Sequence, residues 1–581
     1  MKKLMLGNEA IARGVFEAGA TVVSAYPGTP STEITEAIAH YDEIYSEWAP
    51  NEKVALEVAI GASFAGARAA SAMKHVGLNV AADPLFTASY TGVNGGLVLF
   101  VADDPGMHSS QNEQDTRILA RGAKVPVLEP SDSQECKDFT IKAFELSEAF
   151  DTPVIVRLST RVSHSQGIVD MGERAVYELK PYVKNPGKFV MMPAMAKMRH
   201  PFVEERMAKL REWSEQSTLN RIEWGDKKVG VITSGISYQY AREAFGNASF
   251  LKLGMVHPLP EKLIRSFAQE CETVYVIEEL EPFIENQCLK MGLNVIGKAL
   301  LPVTGEYSAS LIREKILGDT QKKQNDIQDV APARPPVLCA GCPHRGTYYV
   351  LKKLKLTVSG DIGCYTLGAL APLESVDTCV CMGASVGVAH GMEKAMGKEA
   401  SHKTVAVIGD STFIHSGITG LIDVVYNRGT STVIILDNSI TGMTGHQQNP
   451  TTGFTIKGEP TRQVDLVKLC QAIGIERVRV CDPFDLVEFE KVVKEEIAAD
   501  EPSVIIAQRP CALLKNVKFG PLLSINQDKC SKCRMCMRLG CPAIVDRGDH
   551  IEINSALCVG CHLCTKVCRF SAMEKAGGNN E

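Results

Sequence analysis

Eight cysteines in residues 530–568 have the spacing needed to hold iron–sulfur clusters. They form two runs of four: Cys530, Cys533, Cys536 and Cys541, and then Cys558, Cys561, Cys564 and Cys568. In each run the first three cysteines are separated by two residues, which places three thiolates around one cluster, and the fourth commonly ligates the other cluster. We therefore predict two 4Fe–4S clusters that share the two runs: one held by Cys530, Cys533, Cys536 and Cys568, the other by Cys558, Cys561, Cys564 and Cys541.

Two clusters of this kind predict a ferredoxin-like module at residues 521–581. The alternative is a pair of zinc knuckles, but a zinc site takes four ligands and has no use for two interleaved triplets. The first run has four residues before its last cysteine, and no proline follows Cys568, so the pattern departs slightly from the common bacterial one. The chemistry predicted for this segment is the transfer of single electrons.

A second candidate site lies where two predicted parallel strands end. The sequence predicts a strand at 404–408, a helix near 417–427 and a strand at 432–436. Polar residues follow both strands, at the edge where ligands bind in open α/β sheets. We expect a phosphate and a divalent cation to bind there.

The residue types at this edge suit Mg²⁺ and a phosphate. Gly409 lets the backbone approach a phosphate, and Asp410 offers a carboxylate oxygen. Asn438 ends the second strand with an amide oxygen, and the carbonyl of Ile440 is free to supply a third ligand. Mg²⁺ prefers such a sparse set of protein oxygens, completed by phosphate and water.

The elements around these sites predict an α/β protein with several doubly wound parallel sheets. From Thr21 to about residue 160, short apolar runs alternate with helical stretches that are rich in small residues. Further strands are predicted at 228–235 and 273–279, and the polar stretch 318–336 ends in prolines, as a linker does. The predicted segments are 1–181, a strand-free helical connector at 182–226, 227–317, the linker 318–336, 337–520 and 521–581.

Composition places the chain among soluble multidomain proteins. It has 581 residues, of which 45% are apolar and 22% charged, and a formal net charge of −6 that gives no indication of nucleic-acid binding. The first residues form neither a signal peptide nor a membrane span, so we expect a cytoplasmic protein that does not bind membranes. Nineteen cysteines suit a reducing compartment and an anaerobic host.

Several motifs resemble those of the 2-oxoacid:ferredoxin oxidoreductases. The spacing of Asp410 and Asn438 resembles the thiamine diphosphate signature Gly-Asp-Gly…Asn-Asn, although Ser411 replaces the last glycine and Asp437 the first asparagine. Residues 24–31, SAYPGTPS, are similar to the family motif Tyr-Pro-x-Thr-Pro-Ser. Residues 51–70, and the segments CAGCPHR and GDIGC that end at Arg345 and Cys364, also resemble family motifs. The order of these segments is similar to that in the alpha subunits of indolepyruvate:ferredoxin oxidoreductases.

This resemblance implies an activity, cofactors and partners. The activity is the oxidative decarboxylation of arylpyruvates such as indolepyruvate, with coenzyme A, to aryl-acetyl-CoA and CO₂, with reduction of ferredoxin. The cofactors are thiamine diphosphate, Mg²⁺ and two 4Fe–4S clusters, and the partners are ferredoxin and a smaller beta subunit in an α2β2 heterotetramer. Two alternatives stay open: another 2-oxoacid:ferredoxin oxidoreductase, or an iron–sulfur electron-transfer subunit of a larger redox complex.

The resemblance also implies roles for individual residues. Glu52 precedes Gly61 at the spacing of the family's pyrimidine-binding glutamate, with Glu57 as the alternative. Thr29 is expected to contact the substrate or the pyrimidine, unless the hydroxyls from Thr29 to Thr32 cap the next helix. The other expected cofactor-binding residues are Tyr26, Pro27, Gly28, Cys342, His344, Cys364, Gly409, Ser411 and His446.

Two further motifs have competing interpretations. Arg117 could clamp the substrate carboxylate, but an arginine in a polar stretch is more often a surface residue. Cys339, Cys342 and His344 could form half of a zinc site. No second pair follows at a suitable spacing, so a wall of the cofactor pocket is the favoured interpretation.

Overall fold

The chain consists of two compact units, Met1–Gln328 and Asp329–Glu581. The structure, a computed structural model, describes residues 1–319 and 335–576. The predicted linker 318–336 falls almost entirely outside the described residues, and the other predicted segment boundaries stay predictions. Both units contain parallel sheets flanked by helices, which confirms the predicted α/β class.

The first unit contains thirteen strands and fourteen helices within the described residues. The strands are β1 Lys2–Leu6, β2 Val22–Ala25, β3 Tyr45–Trp48, β4 Ala69–Lys74, β5 Leu97–Asp103, β6 Val127–Leu128, β7 Val154–Ser159, β8 Gln166–Asp170, β9 Arg221–Glu223, β10 Asp226–Ser234, β11 Ala248–Leu253, β12 Met255–His257 and β13 Thr273–Ile277. The helices are α1 Gly7–Glu17, α2 Thr32–Ile38, α3 Glu52–Phe64, α4 His75–Val80, α5 Ala82–Thr91, α6 Thr116–Ala123, α7 Ser133–Phe150, α8 Thr160–His164, α9 Pro186–Phe189, α10 Pro193–Gln216, α11 Gly235–Phe245, α12 Glu261–Gln269, α13 Phe283–Lys290 and α14 Ala309–Ile312, and the π-helical turn Arg313–Leu317 follows.

A seven-stranded sheet forms the centre of this unit. Its order is β12-β6-β7-β5-β4-β2-β3, and every neighbouring pair is parallel except β12 with β6. Strand β12 belongs to the second predicted α/β block, so this block contributes a strand to the sheet of the first block. The remaining strands form a four-stranded sheet, β13-β10-β11-β9, and the antiparallel pair β1-β8.

The central strand β5 shows how the two blocks share a core. Its sequence LVLFVAD is buried at every position, as expected for a parallel strand that is covered on both faces. Val98 and Phe100 pack into the core on one face, whereas Leu99 and Val101 pack with Phe267 of the second block on the other. One apolar core therefore spans both blocks.

The predicted connector is mostly helical but is not free of strands. It contains α10, as expected, but β9 lies near its end and pairs antiparallel with β11. The three residues Arg-Ile-Glu of β9 are too short to show an alternating pattern. The prediction of a strand-free connector is therefore wrong at residues 221–223.

The second unit contains nine strands and eight α-helices within the described residues. The strands are β14 Thr357–Ser359, β15 Thr404–Gly409, β16 Thr432–Asp437, β17 Arg477–Cys481, β18 Ser503–Gln508, β19 Leu523–Ile525, β20 Ile544–Asp546, β21 Ile551–Ile553 and β22 Met573–Lys575. The helices are α15 His344–Leu354, α16 Ala384–Met396, α17 Lys398–Ser401, α18 Asp410–Thr412, α19 Ile418–Tyr426, α20 Leu466–Ile473, α21 Leu486–Ile497 and α22 Leu563–Val567. Shorter helical turns lie at Cys364–Ala369, Phe413–Gly417 and Met535–Leu539.

A parallel five-stranded sheet, β14-β15-β16-β18-β17, forms the main part of the second unit. Strands β15 and β16 and helix α19 confirm the elements that were predicted between residues 404 and 436. Gly409 at the end of β15 lies opposite Leu436 of β16. The residues that follow these two strands therefore meet at one edge of the sheet.

Residues 523–575 form two antiparallel strand pairs, β19-β22 and β20-β21, with short helices between them. This segment does not have a core of its own. Leu539, Ile544 and Leu563 lie in the same apolar cluster as Val405 and Val407 of the parallel sheet. The segment therefore shares an apolar core with the parallel-sheet part of the unit, and it contacts α15 through the hydrogen bond from Arg345 to the Leu539 carbonyl.

Candidate active site

Residues 26–31 form a buried loop after β2 in the first unit. Tyr26, Pro27 and Gly28 are buried and Thr29 is half-buried. The Oγ atom of Ser31 donates a hydrogen bond to the Gly28 carbonyl at 2.7 Å. Helix α2 begins one residue after Ser31 without a hydrogen bond from a capping side chain. The alternative that these hydroxyls cap the helix is therefore wrong.

Glu52 and Glu57 have different environments although both lie on α3. Glu52 is the first residue of the helix and is 4% exposed, whereas the Glu57 side chain is 44% exposed and pairs with Lys53. The side chain of Asn51 caps the helix by accepting a hydrogen bond from the Val54 amide at 2.9 Å. Burial favours Glu52 as the carboxylate that meets a cofactor.

Lys74 is a buried cation that lies near both motifs of the first unit, the 26–31 loop and the helix that begins at Glu52. It ends β4, and its aliphatic stem lies 3.3 Å from the position that a Cβ atom at Gly28 would take. Its Nζ atom donates to the Ser109 carbonyl at 3.0 Å. Burial lowers the pKa of Lys74 to about 8, against the opposing effect of the nearby carboxylates of Asp104 and Glu52.

The loop that follows β5 lies against the same motif. Ser109 donates through its Oγ atom to the Thr29 carbonyl at 3.2 Å, and its amide donates to the Asp104 carboxylate at 2.8 Å. Asp104 also accepts a hydrogen bond of 2.7 Å from Thr160. The loop thus holds Lys74 beside Thr29.

Three oxygen atoms converge at the edge of the five-stranded sheet in the second unit. The amide oxygen of Asn438 lies 3.3 Å from the Asp410 Oδ1 atom and 2.7 Å from the Ile440 carbonyl oxygen. All three atoms are hydrogen-bond acceptors, so the arrangement needs either a half-turn of the amide or a cation between them. A carboxylate, an amide and a carbonyl oxygen fit the requirements of Mg²⁺.

Asp410 is held in a way that suits a cation ligand. It is 2% exposed, and the Oγ1 atom of Thr451 donates to its second oxygen at 3.1 Å. Burial, and then repulsion from Asp437, raise the pKa of Asp410 to about 7. A bound cation would offset both effects, because it supplies the positive charge that the buried carboxylate lacks.

The ring of Tyr365 leaves no room for a side chain at Gly409. A Cβ atom at this position would lie 2.5 Å from the ring of Tyr365. The hydroxyl of Tyr365 donates to Thr412 at 3.1 Å, which fixes the ring beside the loop. His344 lies edge-on to the same ring, at 5.7 Å between centroids, and its burial lowers its pKa to about 4. His344 is therefore neutral at pH 7 and lies beside the ring that packs against Gly409.

Of the other predicted residues, Ser411 follows β15 and His446 follows β16, whereas Cys364 follows β14 and the buried Cys342 precedes α15. Ser411 is buried and accepts a hydrogen bond from Thr441 at 3.0 Å. The Nε2 atom of His446 lies 3.9 Å from the Sγ atom of Cys511, a residue that the sequence analysis did not single out. The thiols of Cys511 and Cys339 lie close enough to contribute to the raised pKa of Cys364, although burial is the larger cause.

The eight cysteines of the final segment line two cavities. One cavity is bordered by Cys530, Cys533, Cys536 and Cys568, and the other by Cys541, Cys558, Cys561 and Cys564. Each cavity thus takes three thiols from one run and one thiol from the other. Burial, and then the neighbouring thiols, raise the pKa of Cys536 to about 11 and that of Cys564 to about 12.

Within residues 1–319 and 335–576, no three His, Cys, Asp or Glu side chains meet closely enough to hold a single metal ion. An iron–sulfur cube does not need such a convergence, because the cube separates its four thiolates by its own width. The oxygen site at Asp410 relies on an amide and a carbonyl as well as a carboxylate. The eight thiols therefore fit two iron–sulfur clusters, and the oxygens at Asp410 fit a Mg²⁺ ion, as expected from the sequence.

Comparisons with known proteins place the chain in a family. Residues 13–227 match the thiamine diphosphate-binding domain of pyruvate flavodoxin/ferredoxin oxidoreductases, and residues 361–507 match the C-terminal binding domain of thiamine pyrophosphate enzymes. Indolepyruvate oxidoreductase subunit IorA of Archaeoglobus fulgidus is 42% identical over 100% of this chain and 98% of its own. The subunit from Pyrococcus abyssi is 43% identical over 98% and 96% of the two chains. The chain belongs to the indolepyruvate oxidoreductase IorA family.

Membership of the IorA family confirms the resemblance and makes the chain an oxidoreductase subunit with thiamine diphosphate-binding domains. Among solved structures, the 2-oxoglutarate:ferredoxin oxidoreductase of Magnetococcus marinus aligns with a TM-score of 0.46 and 18% identity. The alignment covers 55% of this chain and 65% of that one. No helix in the described part of the IorA-family chain is long and apolar enough to span a membrane.

Arg117 of this IorA-family chain is neither a surface residue nor free to clamp a substrate. It is 1% exposed, and its guanidinium pairs with Asp115 at 2.6 Å and with Glu278 at 2.7 Å. A further hydrogen bond of 3.0 Å reaches the Glu279 carbonyl. Arg117 therefore links α6 to the segment after β13, and both interpretations made from the sequence are wrong.

Lys74 and Cys511 are the two residues near the motifs that the sequence analysis missed. A weak signal existed for Lys74, because a charged residue ends the buried strand AASAMK. Cys511 follows the last strand of the parallel sheet, and only the fold brings it to His446 and Cys364. Both residues therefore belong among the candidates for the site.

Proposed function

We propose that this chain is the catalytic subunit of an enzyme that oxidatively decarboxylates arylpyruvates such as indolepyruvate. Coenzyme A accepts the acyl group to give an aryl-acetyl-CoA and CO₂, and ferredoxin accepts the electrons. The cofactors are thiamine diphosphate, Mg²⁺ and two 4Fe–4S clusters in a ferredoxin-like module. A smaller beta subunit completes the enzyme as an α2β2 heterotetramer. The aryl preference rests on the names of the relatives in Archaeoglobus and Pyrococcus.

One observation carries the proposal: the second unit combines a converging set of oxygens with two cavities that are each bordered by four thiols. An electron-transfer subunit without catalysis would need only the thiols. An ordinary thiamine decarboxylase would need only the oxygens. The combination supports an enzyme that cleaves a carbon–carbon bond and also removes electrons.

The cation site holds the cofactor's diphosphate. Asp410, Asn438 and the Ile440 carbonyl would bind Mg²⁺, and the buried Ser411 hydroxyl and the pocket wall at His344 lie around the same loop. Thiamine diphosphate, when bound, supplies a carbon that attacks the 2-oxo group and stabilises the negative charge left by CO₂. The protein's task at this edge is to hold the diphosphate and to exclude water.

Glu52 stabilises a proton on the cofactor's pyrimidine ring in the proposed reaction. Its buried carboxylate would accept a hydrogen bond from the pyrimidine ring and stabilise the protonated form of the ring nitrogen. Glu57 is exposed and already paired with Lys53, so it does not suit this task. Glu52 and Glu57 are the same residue type, so burial is what distinguishes their proposed roles.

Lys74 supplies a positive charge for the substrate's carboxylate. It lies between the 26–31 loop and Glu52, and its only hydrogen bond in the described residues is to the Ser109 carbonyl. A buried ammonium with one neutral partner can still donate two further hydrogen bonds. We expect the carboxylate of the 2-oxoacid to occupy this position before CO₂ leaves.

The eight thiolates hold the electron acceptors. The four-thiol cavities lie in the segment that shares a core with the parallel sheet, which keeps both parts of the second unit in fixed contact. Two electrons per substrate can then leave one at a time, as ferredoxin requires. Coenzyme A and ferredoxin enter the proposal through the family resemblance alone.

The test is dye reduction by the purified protein together with its beta subunit. Under anaerobic conditions, reduction of a viologen dye should be fastest with indolepyruvate or another arylpyruvate and much slower with pyruvate or 2-oxoglutarate. The reaction should require coenzyme A and thiamine diphosphate. Equal rates with all substrates would contradict the aryl assignment but leave the reaction class intact.

Cofactor analysis distinguishes the enzyme from an electron-transfer subunit. The protein should bind thiamine diphosphate in a Mg²⁺-dependent manner and contain about eight iron atoms, four for each cluster. Iron without thiamine diphosphate binding would support the electron-transfer alternative. Thiamine diphosphate binding without iron would remove the oxidative step from the proposal.

A further inference from the structure

The two thiol cavities differ in the cation that borders each of them. Arg534 borders the cavity of Cys530 and Cys533, but its side chain is 58% exposed and pairs with Asp546 at 2.6 Å. Arg345 borders the other cavity and is 2% exposed. Among the described residues no carboxylate pairs with Arg345. Arg569, an exposed residue, also lies near enough to Cys533 to affect its thiol. The cations Arg534 and Arg569 near the first cavity are therefore exposed to solvent, whereas the second cavity has a buried cation that no carboxylate neutralises.

Arg345 is fixed by backbone carbonyls on both sides of the cavity. Its guanidinium donates to the Cys339 carbonyl at 3.1 Å and to the Leu539 carbonyl at 2.9 Å, and also to the carbonyls of Leu338 and Gly540. Gly540 immediately precedes the cluster cysteine Cys541. The hydrogen bonds hold the charge in place but leave it unneutralised, because carbonyl oxygens carry no net charge.

The segment that carries Arg345 also contacts the same cavity directly. A Cβ atom at Gly341 would lie 2.7 Å from the Val559 side chain and 3.4 Å from the Cβ atom of Cys561. Ala340 and Gly341 line this cavity, whereas the lining residues of the other cavity all lie between 530 and 573. The cavity with Arg345 is therefore the one in contact with the segment that opens the diphosphate-binding domain.

We propose that Arg345 is a positioning residue that raises the reduction potential of the cluster held by Cys541, Cys558, Cys561 and Cys564 above that of its twin. This inference rests on the proposed function, because it requires both clusters to be present. Reduction adds one electron, supplied by oxidation of the 2-oxoacid, to a cluster that is already anionic with its four thiolates. A fixed positive charge in a weakly polarisable surrounding favours that added electron. The first electron therefore resides on the cluster nearest the diphosphate-binding domain.

The experiment compares Arg345→Gln and Arg345→Lys with the control Arg534→Gln. Each protein is titrated with a reductant at controlled potential, and the two clusters are followed by low-temperature paramagnetic resonance. Cys533→Ser and Cys558→Ser variants assign each signal to its cluster. Iron content is measured in every sample.

Arg345→Gln should shift the midpoint potential of the Cys541/Cys558 cluster to a more negative value and leave the other cluster unchanged. Arg345→Lys keeps the charge and should show a smaller shift, and Arg534→Gln should shift neither cluster. An unchanged midpoint, or equal shifts of both clusters, would overturn the inference. Loss of iron from both Arg345 variants would assign a purely structural role and would also overturn it. Fewer than two clusters in the unmodified protein would instead overturn the proposed function.

Discussion

The backbone of Gly77 closes over the carboxylate of Glu52. A Cβ atom at Gly77 would lie 2.6 Å from the Oε1 atom of Glu52, so any other residue at this position must displace the carboxylate. We therefore expect Gly77→Ala to lower kcat by about 10- to 100-fold, because a shift of about 1 Å in a reacting group can have this effect. Thiamine diphosphate binding should be nearly unchanged, as measured by titration of the intrinsic fluorescence.

Gly61 provides the matched control on α3. A Cβ atom there meets no atom within 4 Å, so Gly61→Ala should leave kcat unchanged and stabilise the helix by about 1 kcal/mol. Equal losses of activity in the two variants would contradict a specific role for the contact between Gly77 and Glu52.

Glu52→Gln should separate cofactor binding from catalysis. The amide cannot stabilise a protonated ring nitrogen, so we expect kcat to fall by about 10²- to 10⁴-fold while the cofactor still binds. Glu57→Gln should change kcat less than about twofold, because surface ion pairs contribute little. Steady-state dye reduction measures both variants. A larger defect in Glu57→Gln would show that the wrong glutamate was chosen.

The raised pKa of Asp410 predicts how cofactor affinity depends on pH. Protons compete with Mg²⁺ for this carboxylate, so the Mg²⁺-dependent affinity for thiamine diphosphate should increase with pH up to about 7 and then level off. Asp410→Ala should abolish this dependence and most of the affinity without loss of iron. Calorimetric titrations between pH 5.5 and 8.5 would measure the effect, a range of about one and a half units on either side of the raised pKa.

Asp437→Asn is the control for that titration. It removes the neighbouring charge that helps to raise the pKa of Asp410, so the midpoint of the pH dependence should move to a lower pH. An unchanged midpoint would mean that another group controls binding.

The lowered pKa of Lys74 predicts a second pH effect. If its ammonium binds the substrate carboxylate, KM for the 2-oxoacid should stay constant below pH 8 and increase above it as Lys74 loses its proton. Lys74→Met should raise KM by about 10- to 100-fold below pH 8 and by progressively less above it, since a hydrogen bond to a charged group contributes about 1.5–3 kcal/mol only while Lys74 is protonated. Steady-state kinetics against substrate concentration would measure it.

Lys74→Arg should retain the charge and lose the alkaline rise in KM. The exposed Lys53 serves as the unrelated position, where Lys53→Met should leave KM unchanged. A Lys74→Met enzyme with normal KM would exclude Lys74 from the substrate site.

The grouping of thiols predicts which cluster each cysteine supports. Cys541→Ala should damage the cluster of Cys558, Cys561 and Cys564, and Cys568→Ala the cluster of Cys530, Cys533 and Cys536. Iron analysis and paramagnetic resonance should show loss of about half the iron in either variant, and of a different signal in each. Damage confined to the cluster of the mutated run would contradict the crossed arrangement.

The features that could be predicted from the sequence are those in which the residues lie close together along the chain. The strand ends that carry Asp410 and Asn438, and the two cysteine runs, lie within short segments whose pattern is visible directly. The choice of Glu52 over Glu57 followed the family spacing, and the burial of Glu52 agrees with it.

What the sequence could not predict depends on contacts between distant segments. The polar stretch around Arg117 does not reveal its burial, because Glu278, its second partner, lies 161 residues further along the chain. The hydrogen bonds of Arg345 to the carbonyls of Leu539 and Gly540 span 194 and 195 residues. No local sequence pattern predicts such pairs, since only the packed fold brings the two residues together.

The shared apolar cluster of the second unit has a consequence for removal of the cysteine segment. Leu539, Ile544 and Leu563 belong to the same buried cluster as Tyr348 and Leu351 of α15. A chain that lacks these three side chains would leave their neighbours exposed to water, at a cost of roughly 1.5–3 kcal/mol for each large apolar side chain. Loss of the cysteine segment would therefore destabilise the parallel-sheet part of the unit as well as remove the electron acceptors.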